Sequence, residues 1–84
     1  MTRYALHPQV GLRDEAFGAL AYHYGNRRLT FLNDDRLVNV VRTVADYDDV
    51  DDALAAAGVD ERQRPAYRAA LARLVASEVV VERR

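Results

Sequence analysis

The thirteen residues "LAYHYGNRRLTFL", Leu20 to Leu32, constrain the fold of this chain more than any other stretch. Side chains alternate with a period of two on both sides of Gly25-Asn26, the signature of a β-hairpin. Gly at the first central position suits a two-residue II′ turn. That register sets Tyr22 opposite Leu29, Leu20 opposite Phe31 and Tyr24 opposite Arg27 on one face. The other face pairs His23 with Arg28, Ala21 with Thr30 and Ala19 with Leu32. The first face is large and apolar and the second small or polar, so the first is expected to form the core. On that reading Phe31→Ala costs about 3–5 kcal/mol. Pairs nearest such a turn bond first, so Tyr22–Leu29 and Leu20–Phe31 exchange hydrogen bonds. Arg28, Thr30 and Leu32 then present their N–H groups outward.

Two strands alone are marginal in water. The upstream run "QVGLR" supplies a third, with Asp14-Glu15-Ala16 as the connection. The strands are expected at residues 9–13, 17–24 and 27–32 of a three-stranded antiparallel meander. The period then changes. Leu37, Val40, Val41 and Val44 recur at helical spacing, behind Asn33 as N-cap and Asp34 and Asp35 in a first turn where the helix dipole favours anions. Three helices are expected, at 34–45, 50–57 and 61–77. Gly58 ends the second as its C′ residue. Pro65 confines the regular part of the third to Arg64 onward. Tyr67, Ala70, Leu71, Leu74 and Val75 form that helix's apolar stripe. The terminal "EVVVERR" is β-prone. The order β-β-β-α-α-α reads as one α+β domain over residues 1–84, with the shape of a winged helix-turn-helix.

With 84 residues the chain has little room for an enclosed active site beside its core. It has no cysteine, which removes disulfides and thiolate metal sites and fits a cytoplasmic protein. No apolar run approaches the roughly 20 residues of a membrane span, and no signal peptide is apparent. Every basic side chain is arginine. The net charge of −1 conceals three zones: +2 over residues 1–33, −7 over 34–61 and +4 over 62–84. A basic–acidic–basic order suits a specific partner better than bulk nucleic acid.

Catalytic chemistry has no foothold. His7 and His23 are the only histidines and Ser77 the only serine, with no cluster around them. The four glycines are isolated, so no phosphate loop exists. "DYDDVDD" lacks the Gly and the closing Glu of a calcium loop. No catalytic residue, metal site or cofactor is expected.

The segment "YALHPQVGLRDEAFGALAYHYGNRRLTFL", Tyr4 to Leu32, resembles the N-terminal part of the mycofactocin-biosynthesis peptide chaperone (MftB) family. "ALHPQV", "FGAL" and "YHYG" carry the likeness, which continues more loosely through "AALAAAGV" and "RPAYRAAL". The resemblance implies a non-enzymatic domain similar to other precursor-peptide recognition elements. Such a domain binds a small precursor peptide and presents it to a radical SAM maturase acting on the peptide's C-terminal Val-Tyr. In related domains the peptide docks as an added strand beside the third strand of the meander, against the third helix.

An edge strand offers the unpaired backbone groups that such docking needs. The candidate peptide-binding residues are therefore Arg28, Leu29, Thr30, Phe31 and Leu32, with Arg68, Leu71, Ala72 and Val75 from the third helix. That flank is preferred to Ala66, Ala70 and Arg73. Leu71 and Leu74 read first as core, and Arg68 and Arg73 are weighed against simple solvation. Arg28 and Arg68 are candidates to meet a peptide carboxylate. Two other readings stand beside this one. A winged-helix DNA-binding regulator would set Arg62, Arg64, Arg68 and Arg73 on DNA, although the −7 block just before them opposes it. A small structural subunit would pair its sheet edge with its own copy, as a weak homodimer.

Overall fold

A computed structural model describes residues 3–83 of the chain. The architecture is α+β, as the sequence implies. Strands β2 (Val10–Glu15), β3 (Gly18–His23) and β4 (Leu29–Leu32) form an antiparallel meander in the order β2-β3-β4. Helices α1 (Asp35–Thr43), α2 (Val50–Ala56) and α3 (Arg64–Ala76) follow, with a 3-10 turn at Val44–Asp46 after α1. A second, two-stranded sheet joins the chain ends: β1 (Arg3–Leu6) pairs antiparallel with β5 (Val80–Arg83). The β-prone tail is thus a strand. Its partner in "RYAL" went unrecognised because neither strand is complete without the other.

The residue pairing of the hairpin is the expected one, from Ala19 opposite Leu32 to Tyr22 opposite Leu29. The turn is not. Four residues, Tyr24–Arg27, make the loop. His23 N–H donates to the Arg28 carbonyl at 3.0 Å and Arg27 N–H to the His23 carbonyl at 2.8 Å. The cause is His23, a buried side chain whose Nδ1 accepts the N–H groups of Gly25 and Asn26 at 3.0 and 3.1 Å. Arg27, not Gly25, takes positive φ, at 63°. Hydrogen-bonded pairs alternate along an antiparallel ladder. With His23–Arg28 bonded, Ala21–Thr30 and Ala19–Leu32 are bonded too, and Leu29 and Phe31 point their N–H and C=O groups away from β3. The outward set expected from a two-residue turn is therefore not observed: Thr30 and Leu32 face inward along the ladder, and the Arg28 N–H donates to the Asn26 side chain.

The faces are also reversed. Ala19, Ala21, His23 and Leu32 are buried, whereas Leu29 and Phe31 are 55% and 64% exposed. The physical reason is α1. Its valines Val38, Val40 and Val41, with Val44 of the 3-10 turn that follows, are buried and fill the layer, leaving room in the middle of β3 only for Ala19 and Ala21. Gly18 permits an equally close approach at the strand's start. Its φ is +141°, and a Cβ there would lie 2.0 Å from the Leu32 carbonyl oxygen.

Local signals place the helix ends. Asp34, one residue beyond the expected Asn33, is the N-cap of α1, accepting from Arg36 N–H at 2.8 Å and Leu37 N–H at 3.3 Å. Gly58 closes α2 with φ +84°. Its N–H reaches the Ala55 carbonyl, and that of Val59 reaches Leu54, both orphan acceptors of the helix end. Glu78 repeats this arrangement after α3 with φ 65°, where glycine is usual. Leu54, Val59, Leu71, Leu74, Val79 and Val80 complete the core.

The reversed faces change one expectation into its opposite. Phe31→Ala should shift stability by less than about 0.5 kcal/mol, as for an exposed site. Leu32→Ala should cost about 2–5 kcal/mol, since Leu32 is 2% exposed. Urea melts of the two variants check the assignment.

Candidate functional site

β4 is the last strand of its sheet, so its outer edge has no ladder partner among the described residues. Beneath that edge runs a cleft of about 330 Å³, walled by Thr30, Phe31 and Leu32 on one side and Ala70, Arg73, Leu74 and Ser77 of α3 on the other, with Leu37 of α1. A smaller hollow of about 120 Å³, bounded by Asp34, Leu37, Ala66, Tyr67 and Ala70, shares Leu37 and Ala70 with it. The two make one trough along α3. Its walls are mainly apolar because Leu37 is only half-buried, turned from the valine stripe of α1 toward α3. The α3 wall is low because Ala66 and Ala70 stand where longer side chains would fill it.

The trough is polar at both ends, and the signs differ. At one end Asp34 accepts from the Tyr67 hydroxyl at 2.5 Å. Partial burial works to raise the Asp34 pKa, but it is outweighed. The Tyr67 hydroxyl, the N–H groups of Leu37 and Arg36 and the Arg36 charge together hold the carboxyl below its ordinary value. Tyr67 is raised in turn, first by its bond to Asp34 and then by burial. At the other end Arg73 is exposed, with no carboxylate partner among the described residues. The arrangement can hold an extended chain by its backbone, accept small apolar side chains beneath it and meet a carboxylate at Arg73. Among the described residues no group of three or more His, Cys, Asp or Glu could hold a metal ion, and no helix is long and apolar enough to cross a membrane.

Residues 3–81 match the family model described as the peptide chaperone MftB family. The chain belongs to the peptide chaperone MftB family. It is 47% identical over 78 residues to the peptide chaperone MftB of Mycobacterium tuberculosis, covering 93% of this chain and 72% of that protein. It is 49% identical over 76 residues to that of Mycolicibacterium smegmatis, covering 90% and 74%. The Mycobacterium ulcerans chaperone is 47% identical over 76 residues, covering 90% and 70%. No solved structure matches the chain. The family's role is non-catalytic, so the chain is not an enzyme.

Within this family member the residues singled out from sequence separate into two groups. Thr30, Phe31 and Leu32 line the trough, and Leu29 lies on the same open strand. Arg28 is exposed at the hairpin tip, its N–H bonded to the Asn26 side chain at 2.9 Å. The α3 residues named beside them lie elsewhere. Arg68 is ion-paired with Asp51 of α2, Leu71 is fully buried, Ala72 is exposed away from the trough, and Val75 packs on the core. A helix turns about 100° per residue, so Arg68 and Val75 stand roughly opposite Ala66, Ala70 and Arg73. The trough flank is the second set, a choice that sequence periodicity does not make. The apolar stripe is wide enough for either margin to border a groove, and only the position of β4 and α1 selects one.

Leu37 and Ser77 line the trough but were not among the residues expected there. Leu37 looked like an ordinary core position, and nothing local distinguishes the leucine that faces a groove. Arg68→Glu would now set two carboxylates side by side between α2 and α3, so its melting temperature should fall.

The Asp34 cluster carries a pH signature. A carboxyl whose folded pKa lies below its unfolded value contributes stability above the unfolded value, and loses it as pH falls through the folded one. Asp34→Asn keeps a good N-cap and removes the titration. The stability advantage of wild type over this variant should therefore be constant near neutrality. It should shrink as pH falls below about 4, the ordinary aspartate range. Urea melts from pH 7 to about pH 2.5 test this.

Proposed function

We propose that this chain binds the mycofactocin precursor peptide as a strand added to the open edge of β4, in the trough against α3, and presents it to a radical SAM maturase. The observation that carries the reading is the backbone of Leu29 and Phe31, unpaired among the described residues, above an apolar trough bordered by the exposed Arg73. The relatives' printed name, peptide chaperone, supports a peptide as the ligand. Neither Leu29 nor Phe31 gives its N–H or C=O to β3, so both can exchange bonds with an incoming strand.

Alternation along a strand then divides the peptide's side chains. One set faces the trough, where Leu37, Ala70 and Leu74 leave space for small or branched apolar groups. The alternate set lies beside the exposed Leu29 and Phe31, with which cross-strand apolar pairing adds a few tenths to about 1 kcal/mol each. An acidic peptide residue pairs with Arg73. A DNA-reading role for α3 is less well supported, because Arg68 is engaged with Asp51 and Arg73 borders the trough.

Proline substitution tests the docking mode, since proline deletes one N–H. Phe31→Pro removes an outward N–H and should weaken precursor binding in calorimetry while the protein still folds. Thr30→Pro removes an N–H committed to β3 and should lower the melting temperature. Arg73→Glu should weaken binding roughly 10- to 100-fold, the loss of one charge-assisted bond of about 1.5–3 kcal/mol, with the melt unchanged. Wild-type affinity in a folded Phe31→Pro protein refutes strand addition at this edge.

A further inference from the structure

Among the described residues His23 is the one polar side chain in the buried core, 5% exposed. Its Nδ1 accepts two backbone N–H groups, those of Gly25 and Asn26. A ring nitrogen that accepts carries no proton, so the imidazole is neutral and holds its proton at Nε2. That Nε2 is buried without a hydrogen-bond partner in the protein. The half-buried His7 lies against the ring, with 4.4 Å between centroids and 48° between planes. His7 is held in the same way: its Nδ1 accepts the Gln9 N–H at 3.0 Å, and its own N–H donates to the Val79 carbonyl at 2.9 Å.

Asn26, held by His23, makes two further bonds. Its Oδ1 accepts the Arg28 N–H at 2.9 Å, and its Nδ2 donates to Glu78 Oε2 at 2.9 Å. Arg28 directly precedes Leu29, the first residue of β4 whose backbone points outward. Glu78 directly follows Ser77, which lines the trough beyond the end of α3. Asn26 is therefore a clasp. It fixes the start of β4 and ties the hairpin tip to the end of α3.

We infer that His23 is a positioning residue of the peptide site, and that a proton on it releases the clasp and weakens peptide binding. The inference rests on strand addition at β4. An imidazolium carries N–H on both nitrogens. A protonated Nδ1 would face two N–H donors, and both bonds would be lost. The surrounding charges offer no compensation. His7 comes from the β1–β2 connection, and the exposed Arg27 and Arg28 come from the hairpin tip. The one carboxylate at the tip, Glu78, is exposed and bonded to Asn26. From β2 the residue opposite His23 is Val10, which has no charge. A buried charge without a partner is costly, so the ring takes its proton when the loop lets go and water reaches it. Acid then favours the released loop, because that form binds the proton. With Asn26 free, Arg28 loses its tether and β4 frays at Leu29, one of the two backbones that meet the peptide.

Calorimetry of the full chain with precursor peptide from pH 8 to pH 5, the span in which histidine changes charge, tests the inference. Affinity should fall at least about tenfold as pH is lowered, the equivalent of 1.4 kcal/mol. Peptide carboxylates ionise near pH 4 and stay charged across most of this span. In the free protein the amide resonances of Gly25 and Asn26 should shift over the same range. His23→Asn puts Oδ1 where Nδ1 stands, an acceptor for the same two N–H groups that takes up no proton. Its affinity should be the same at both ends of the range. His7→Asn, which keeps an acceptor for the Gln9 N–H, should retain the fall. Asn26→Ala leaves both imidazoles and should weaken binding at the alkaline end severalfold.

A flat wild-type profile overturns the inference, and so does a fall that persists in His23→Asn. A fall abolished by His7→Asn assigns the proton to His7 and overturns it as well. Wild-type affinity in Asn26→Ala overturns the clasp. Should His23→Asn fail to fold, wild type decides: affinity that falls while the Gly25 and Asn26 resonances stay fixed overturns the role of His23. Strand addition itself is tested at the alkaline end by Phe31→Pro, at constant pH, so its failure is read apart from the slope that tests His23.

Discussion

The close packing of α1 on the alanines of β3 is the contact on which the rest of the structure depends. Val38, Val40 and Val41 lie against a strand whose inward residues are Ala19 and Ala21, so helix and sheet approach without bulky side chains between them. The core is dense, as protein interiors are, and has no room for Leu20, Tyr22 or Phe31. Those side chains are left on the opposite face. The same approach turns Leu37 toward α3 and opens a trough under β4 where a thicker layer would have closed it.

Two surfaces with different chemistry result. The β4 edge is a backbone surface, where Leu29 and Phe31 direct their N–H and C=O groups outward above the trough. The outer face of the meander is a side-chain surface, with Phe17, Tyr24, Leu29 and Phe31 exposed on it. Leu29 and Phe31 belong to both: their backbones serve the edge and their side chains the face. His23 stands behind this arrangement. By holding the Gly25 and Asn26 N–H groups it imposes a four-residue loop, and the loop decides which residues of β4 point their hydrogen-bonding groups outward.

Much of the chain was legible before any coordinates. The β3–β4 pairing followed from alternation about a single turn, and the closing glycine of α2 and the proline near the start of α3 are local rules that the structure obeys. The −7 block became caps and first turns: Asp34 and Asp49 are N-caps, and Asp35, Asp51 and Asp52 lie in first turns. Three of the nine candidate site residues, Thr30, Phe31 and Leu32, also line the trough. The four α3 candidates did not join them, because α3 has apolar residues around more than one flank. Arg68, the basic residue that seemed best placed, was claimed by Asp51, a partner seventeen residues earlier.

What the sequence determined by itself was therefore local: the period that separates the hairpin from the helices, the glycine that ends the second helix, and which residues of the hairpin oppose one another. Those outcomes depend on φ, ψ and neighbours a few positions away. Three things were decided only by the tertiary structure. They are the face of the meander that is covered, the flank of α3 that borders the trough, and the pairing of β1 with β5. Each depends on which surface another element brings to it. Period-two alternation marks two faces as different without saying which meets a helix, and here the helix required the smaller one.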